Sequence, residues 1–179
     1  NIIRNGNFIL GQEVERFEEK FAEKCGTKYA IGVNSGTDAL ILSLRALDIG
    51  EGDEVITVPN SFVATASAIA LLGAKPVFVD VGDDFNIDPT KIEEKISAKT
   101  KAILPVHLTG RPSKMSPLID ISNQYGLHIV EDCAQAVLAE YENQKVGSFG
   151  ITGCFSLHPL KTLSAIGDGG IITTDNSKL

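Results

Sequence analysis

Residues 102–135 read AILPVHLTGRPSKMSPLIDISNQYGLHIVEDCAQ. Two short apolar runs in this stretch, Ala102 to Val106 and His128 to Glu131, have the length and composition of buried strands. Between them lies a helical candidate, Pro117 to Tyr125, which Gly126 is expected to end. A strand, a helix and a second strand in this order predict a crossover between two parallel strands.

The same alternation extends to both sides of this unit. Five further apolar runs are predicted as strands: Tyr29 to Val33, Glu54 to Val58, Pro76 to Val81, Cys154 to Ser156 and Gly170 to Thr174. Further helices are predicted at Gln12 to Cys25, Thr37 to Leu47, Thr65 to Leu72 and Pro89 to Ile96. The pattern predicts an α/β fold, a three-layer α/β/α sandwich around a mostly parallel seven-stranded sheet.

Composition narrows the class of protein. The 179 residues are 43% hydrophobic and 22% charged, which is typical of one soluble globular domain. The net charge of −7 comes without a basic cluster, so neither a nucleic acid nor an anionic membrane surface is expected as a partner. The longest apolar run, Ala68 to Ala74, is too short to span a bilayer.

The cysteines and the chain ends give two more expectations. The three cysteines lack CxxC spacing, so neither a disulfide framework nor a zinc site is predicted, and a reducing cytoplasm fits. The chain opens at Asn1 and stops soon after a strand-like run. We therefore expect residues 1–179 to be one domain and a fragment of a longer protein.

Ligands of such sheets collect where the parallel strands end, so the residues that follow each strand are the candidates for function. After the first strand, Asn34 to Asp38 (NSGTD) opens a helix and offers backbone N–H groups and hydroxyls to an anion. The same residue types also cap helices for structural reasons. Phe62, after the second strand, is either a core residue or a side chain that stacks on a flat ring.

Three polar residues follow later strands. His107 has no histidine or cysteine partner nearby, so we expect a hydrogen-bonding pocket residue and no metal site. Asp132 follows the fifth strand, where it either caps a helix or joins a buried ion pair, or else holds a charge in a functional cleft. Lys161 lies in a loop in which Pro159 extends the backbone at His158. This lysine is either a solvated charge or a nucleophile.

Together these residues would supply an anion cradle, a stacking ring, a carboxylate and an amine to one cleft. Pyridoxal 5'-phosphate (PLP) requires that set: donors for its phosphate, a partner for its ring, an acid for its pyridine nitrogen and a lysine for its aldehyde. The sequence therefore predicts PLP as the cofactor.

The chain also resembles a known family, in seven ordered motifs. The motifs are GTDALILSLRAL, DEVITVPNSFVATASAI, GAKPVFVDV, AILPVHLTG, VEDCAQA, VGSFG and CFSLHPLKTLSAIGDGGIITT. In this order they resemble the DegT/StrS-type nucleotide-sugar aminotransferases, which are fold-type-I PLP enzymes. The resemblance runs from Phe8 to Thr174. It implies that residues 1–179 are the PLP-binding large domain, without the family's N-terminal segment and small C-terminal domain.

The resemblance implies roles for seven residues. Lys161 matches the lysine that holds PLP as a Schiff base, and Asp132 matches the acid paired with the pyridine nitrogen. Gln135 matches a residue beside the ring, and Phe62 matches the aromatic position that stacks on it. The phosphate-binding positions are matched by three residues: Gly36, Thr37 and Ser156. Leu157 stands where the family often has an aromatic, which we expect to alter packing more than chemistry.

The activity implied by the resemblance is transamination by a ping-pong Schiff-base mechanism. An amino acid, usually glutamate in this family, would give its amino group to a nucleotide-linked keto-deoxy sugar. The family's dehydratase branch has a histidine where this chain has Lys161, and the GDGG ending looks more like members that act on 3-keto sugars. The resemblance also implies a homodimer, and the cysteine pattern predicts a cytoplasmic location. Two alternatives stay open: a truncated, noncatalytic PLP-binding or dimerisation module, and another fold-type-I PLP enzyme.

Overall fold

Helices and strands alternate along most of the chain, as the hydrophobic pattern predicts. The computed structural model describes residues 2–6, 9 and 11–179. Its α-helices are α1 (Ile2–Asn5), α2 (Gln12–Cys25), α3 (Gly36–Ala46), α4 (Val63–Leu71) and α5 (Met115–Tyr125). Its strands are β1 (Tyr29–Val33), β2 (Glu54–Thr57), β3 (Lys75–Phe78), β4 (Thr100–Ile103), β5 (His128–Asp132), β6 (Glu140–Tyr141), β7 (Gln144–Lys145), β8 (Thr152–Ser156) and β9 (Gly170–Thr174).

Seven of these strands form one sheet, in the order β1-β9-β8-β5-β4-β2-β3. The strands from β8 to β3 in this order are all parallel to their neighbours. Strand β9 is antiparallel to both β8 and β1. The predicted seven-stranded, mostly parallel sheet is therefore confirmed, with one antiparallel strand inserted near its edge.

Consecutive side chains of the central strands pack on opposite faces of the sheet. On β8, Cys154 belongs to the apolar cluster that includes Leu40 of α3, whereas Phe155 packs with Phe21 of α2 at a ring-centroid distance of 5.0 Å. Helices α2 and α3 thus cover opposite faces of the sheet. The predicted α/β/α layering is confirmed.

Two glycines end helices where the sequence predicts it. Gly26 follows α2 with φ 73° and Gly126 follows α5 with φ 65°, a left-handed conformation that glycine adopts without strain. In the described part of the chain, every helix is too short or too polar to cross a bilayer. Phe8, where the family resemblance begins, lies outside the described residues.

The helix predicted at Pro89 to Ile96 is wrong. Two short 3₁₀ turns occur there instead, Pro89–Lys91 and Glu93–Lys95. The amide of Ile92 bonds the carbonyl of Pro89, and the amide of Ile96 bonds that of Glu93, so the segment keeps the tighter i to i+3 pattern.

Two strands end three residues earlier than predicted, three others differ by one or two residues, and one hairpin was not predicted. The strand predicted at Pro76 to Val81 ends at Phe78, because β3 is an edge strand that pairs only with β2. The strand predicted at Ala102 to Val106 covers Thr100–Ile103. The sequence reading missed the hairpin of β6 and β7, whose turn residues Glu142 and Asn143 both have positive φ, as in a type I′ turn.

Candidate active site

A cavity of about 380 Å³ opens at the carboxyl ends of the parallel strands. Its walls come from the start of α3, the start of α4, the loop after β5 and the loop after β8. All seven residues singled out from the sequence line it: Gly36, Thr37, Phe62, Asp132, Gln135, Ser156 and Lys161. The residues chosen because they follow the strand ends therefore line the same cavity.

Asp132 forms the floor of this cavity at the end of β5. The side chain is buried, and its carboxylate accepts two hydrogen bonds: Thr65 Oγ1 donates to Oδ2 at 2.8 Å, and the amide of Ala134 donates to Oδ1 at 3.2 Å. The residues after β5 form turns and no helix, and no described cation bonds this carboxylate. Both structural interpretations of Asp132, the helix cap and the buried ion pair, are therefore wrong.

The electrostatics of Asp132 follow from this setting. Burial raises the pKa of the carboxyl group above its ordinary value. The hydrogen bonds from Thr65 and Ala134, and then the charge of the more distant Lys161, lower the pKa without cancelling the effect of burial. A buried carboxylate of this kind favours a positively charged group on the cavity side.

The start of α3 provides the second wall. Ser35 caps the helix, because its Oγ accepts the amide of Asp38 at 3.0 Å and its carbonyl accepts that of Ala39. The amides of Gly36 and Thr37 belong to the first turn, so they have no intrahelical acceptor and remain free for an anion. The segment is therefore a helix cap, and anion binding by its first amides stays a prediction.

Close backbone packing places Ser156 beside these donors. A Cβ atom added to Gly36 would lie 2.7 Å from the Cβ of Ser156, which leaves no room for a larger residue. A Cβ on Gly170 would collide with the backbone of Ser35 in the same way. Glycine at these two positions allows β8, β9 and the start of α3 to meet at the cavity wall.

Lys161 lies on the loop between β8 and β9. The loop closes on itself, because the amide of Leu157 donates to the carbonyl of Gly169 at 2.8 Å and that of Ala165 donates to Leu157 at 2.8 Å. Lys161 is half-buried, and its Nζ has no hydrogen bond or ion pair to any residue that the structure describes. Leu157, the departure noted above, is buried among apolar side chains.

Phe62 and Gln135 lie at the mouth of the cavity. Phe62 directly precedes α4 and is 70% exposed, so the interpretation as a core residue is wrong. Gln135 is also exposed and lines the cavity from the loop after β5. Their exposure leaves both side chains accessible to a bound molecule.

Glu131, next to Asp132 in the chain, forms a separate polar centre. Its fully buried carboxylate accepts the amides of Gly147, Phe149 and Gly150 at 2.8 to 2.9 Å, and Nε2 of His107 lies 3.0 Å away. His107 Nδ1 accepts the amide of Ser113 at 3.0 Å. Since an amide can only donate, Nδ1 carries no proton, and His107 is the neutral tautomer that donates from Nε2 to Glu131.

A metal at this second centre does not fit its chemistry. Among the described residues, His107, Glu131 and Cys133 place ligating atoms within 4.8 Å of one another. The oxygens of Glu131 are already engaged by four donors, and burial raises the pKa of the Cys133 thiol well above its usual range. His107 is the hydrogen-bonding pocket residue that was predicted, and the absence of a metal site stays a prediction.

The family follows from comparison with known proteins. The DegT/DnrJ/EryC1/StrS aminotransferase family matches residues 1–179. The chain belongs to this family. The resemblance read from the seven motifs is confirmed.

Relatives within the DegT/DnrJ/EryC1/StrS family are similar over nearly the whole chain. The UDP-N-acetyl-3-dehydro-alpha-D-glucosamine 3-aminotransferase of Acidithiobacillus ferrooxidans is 48% identical over 99% of this chain and 48% of its own length. The dTDP-3-amino-3,6-dideoxy-alpha-D-galactopyranose transaminase of Aneurinibacillus thermoaerophilus is 50% identical over 99% of this chain and 49% of its own. The chain thus spans about half the length of the curated relatives it matches.

A solved structure of a related protein confirms the fold. NtdA from Bacillus subtilis, solved with its cofactor PMP (pyridoxamine phosphate), superposes with a TM-score of 0.94 at 38% identity, over 99% of this chain and 40% of that one. The DegT/DnrJ/EryC1/StrS member described here therefore has the fold of the fold-type-I aminotransferases.

Two residues of the cavity were missed in the sequence. Thr65 is almost fully buried and bonds Asp132, and Ser61 Oγ lies 2.8 Å from Thr65 Oγ1. Both were visible as hydroxyl residues within three positions of Phe62. Only the packing of α4 against the end of β5 shows that they meet the carboxylate.

Proposed function

We propose that residues 1–179 form the PLP-binding large domain of a nucleotide-sugar aminotransferase. The proposal rests on one observation: helix-start amides, a buried carboxylate and an amine with no partner among the described residues all line one cavity. PLP, when bound, supplies an electron sink for carbanion chemistry. The family, and the PMP that the related NtdA structure holds, support this cofactor.

The donor set fits PLP at its three polar ends. The free amides of Gly36 and Thr37, with the hydroxyls of Thr37 and Ser156, suit a phosphate. The buried carboxylate of Asp132 suits a protonated ring nitrogen. The Nζ of Lys161, which lacks a partner among the described residues, suits the aldehyde.

The residues then divide the work of the reaction. Asp132 keeps a positive charge on the ring nitrogen, because a neutral ring would leave this carboxylate buried without a cation. Lys161 Nζ anchors the cofactor covalently and, once released, accepts and returns the transferred proton. Phe62 is exposed at the cavity mouth, where it would cover one face of the ring and exclude water. Gln135, which also lines the cavity, would lie beside the ring.

The substrates proposed are an amino acid, usually glutamate, as donor and a nucleotide-linked keto-deoxy sugar as acceptor, in a ping-pong cycle. One curated relative is named as a 3-aminotransferase of a UDP-linked 3-dehydro sugar, and the other as the transaminase of a dTDP-linked 3-amino sugar. Together with the GDGG ending, these names support a 3-keto sugar.

We further propose a cytoplasmic homodimer. Phe62 and Leu160 line the cavity mouth and are 70% and 88% exposed, and neighbouring Ile166 is fully exposed. A second copy of the chain would cover this apolar rim and close the cavity. The three buried free cysteines are compatible with a reducing compartment.

The proposal is tested by adding PLP to the protein in its natural full length, reducing with borohydride and mapping the modified peptide by mass spectrometry. We expect modification at Lys161, a visible absorbance band that Lys161→Ala abolishes, and the same band in Lys20→Ala, which removes an exposed lysine of α2. Equal bands in the wild type and Lys161→Ala would refute the assignment.

Turnover separates the aminotransferase from the alternatives. We expect loss of the band when glutamate is added and its return when a nucleotide-linked 3-keto sugar follows. Binding of PLP without either change would support the noncatalytic module. Return of the band with simple 2-oxo acids alone would support another fold-type-I enzyme.

A further inference from the structure

Two hydroxyl groups in series lead from the cavity wall to the buried carboxylate of Asp132. Ser61 Oγ lies 2.8 Å from Thr65 Oγ1, and Thr65 Oγ1 lies 2.8 Å from Asp132 Oδ2. Thr65 is 1% exposed, whereas Ser61 is half-buried and lines the cavity. Both ends of this series of hydrogen bonds, Ser61 and Asp132, therefore line the same cavity, and the nearly fully buried Thr65 joins them.

The number of protons available determines which group donates in each of these two hydrogen bonds. A hydroxyl has a single proton, and an ionised carboxylate can only accept. With Asp132 ionised, Thr65 must donate to Asp132, which obliges Ser61 to donate to Thr65. If Asp132 were protonated on Oδ2, that O–H would face Thr65 and would become the donor, so the bond between them would reverse. The bond between Thr65 and Asp132 thus responds directly to the charge on Asp132.

We propose that Thr65 is a positioning residue that, supported by Ser61, orients the Asp132 carboxylate and keeps it ionised for the ring nitrogen of the cofactor. The proposal rests on the proposed function for its cofactor and on the geometry for its effect on Asp132. The second oxygen, Oδ1, has one donor among the residues that the structure describes, the amide of Ala134, at the longer distance of 3.2 Å. Thr65 therefore makes the shorter of the two hydrogen bonds that stabilise the buried carboxylate.

The other charged or titratable groups around Asp132 make no hydrogen bond to its carboxylate, so they do not orient it as Thr65 does. His107, on the loop after β4, is neutral because its Nδ1 accepts an amide. Lys161, on the loop after β8, makes no hydrogen bond to Asp132, although its charge lowers the pKa of that carboxyl group. Glu131 and Cys133 flank Asp132 on its own strand end, and Cys154 lies on β8; none of the three bonds its carboxylate.

The first test uses the protein without cofactor, so it does not depend on the proposed function. The carboxyl carbon of Asp132 is followed by NMR as a function of pH, with Asp132→Asn to assign its signal. We expect Thr65→Val, which keeps the shape but removes the hydroxyl, to raise the pKa of Asp132 by about one to two units. Thr65→Ser should restore it, and Ser61→Ala should raise it by less.

The matched control is Thr57→Val. Thr57 is equally buried and its hydroxyl donates to the carbonyl of Leu104 at 2.8 Å, without contact with Asp132. The control loses a similar hydrogen bond and should leave the pKa of Asp132 unchanged. An unchanged pKa in Thr65→Val, or an equal shift in Thr57→Val, would overturn the proposal.

The second test measures PLP binding by absorbance across pH. We expect Thr65→Val to weaken binding about tenfold near neutral pH and Thr65→Ser to recover most of the affinity. The same affinity and pH profile in Thr65→Val and the wild type would contradict the inference. If the wild type bound no PLP, the proposed function would fail, while the NMR titration would still decide the role of Thr65.

Discussion

Two consecutive carboxylates on β5, Glu131 and Asp132, are both buried but are held in opposite ways. Glu131 accepts three backbone amides and the Nε2 proton of His107, so every direction around its carboxylate has a donor. Asp132 accepts one hydroxyl and one amide and faces an open cavity. Because side chains alternate along a strand, one residue step separates these two environments.

The number of hydrogen-bond donors around a buried carboxylate distinguishes a structural role from a functional one. A carboxylate with a full set of donors ties segments together, and here Glu131 connects β5 to the loop 147–150 and to His107 after β4. A carboxylate with an incomplete set costs stability until a cation arrives. Asp132 is therefore the one whose environment a bound cofactor would complete.

The largest effect is expected for Glu131→Ala. The substitution leaves the amides of Gly147, Phe149 and Gly150 buried without their acceptor, which should lower the free energy of unfolding by about 4 kcal/mol. Urea denaturation followed by circular dichroism measures the change. A loss under about 1 kcal/mol would show that the donors around Glu131 find other partners.

A smaller loss is expected for His107→Leu. The apolar side chain removes one of four donors to Glu131 and leaves the amide of Ser113 without an acceptor, so we expect a loss of about 2 kcal/mol. The double variant with Glu131→Ala should lose less than the sum of the two, because both changes remove the same bond. Strict additivity in a double-mutant cycle would contradict the coupling.

Asp132→Asn should have the smallest effect on stability and the opposite sign. Removing a charge that burial disfavours should raise the free energy of unfolding of the cofactor-free protein by about 1 kcal/mol near neutral pH. Binding of PLP should be lost in the same variant. A variant that is more stable but does not bind PLP is expected for Asp132 and not for Glu131.

The pH dependence of this gain follows from linkage. The folded-state pKa of Asp132 lies above its unfolded value near 3.8, so the penalty is absent below that value and grows as pH rises toward the folded pKa. The stability difference between Asp132→Asn and the wild type should therefore increase with pH above about 4 and then level off. A difference that shrinks as pH rises would contradict the raised pKa.

The sheet and part of the candidate site could be predicted from the sequence, whereas long-range contacts could not. The alternation of apolar runs predicted the sheet, and the strand-end rule led to Asp132 and Lys161, because both depend on local patterns. The donors to Glu131 come from residues 147–150, far from it in the chain, and no local pattern links them. Thr65 was missed for the same reason: its partner lies 67 residues away.

Short segments limited the remaining predictions. The segment from Pro89 to Ile96 is a helical candidate in the sequence, but it forms two 3₁₀ turns, in which four amides bond the carbonyl three residues earlier: Lys91, Ile92, Lys95 and Ile96. The hairpin of β6 and β7 has two residues in each strand, which is too few for an alternating pattern to be recognised.

The closed loop that carries Lys161 has a consequence for engineering and evolution. Because the amide of Leu157 bonds the carbonyl of Gly169, the two ends of the loop meet at the rim of the sheet. Residues between them can be replaced or extended as a cassette, at only the modest entropic cost of a longer loop and with the pairing of β8 and β9 kept. The position of Lys161 can therefore change independently of the strands and helices that form the rest of the cavity wall.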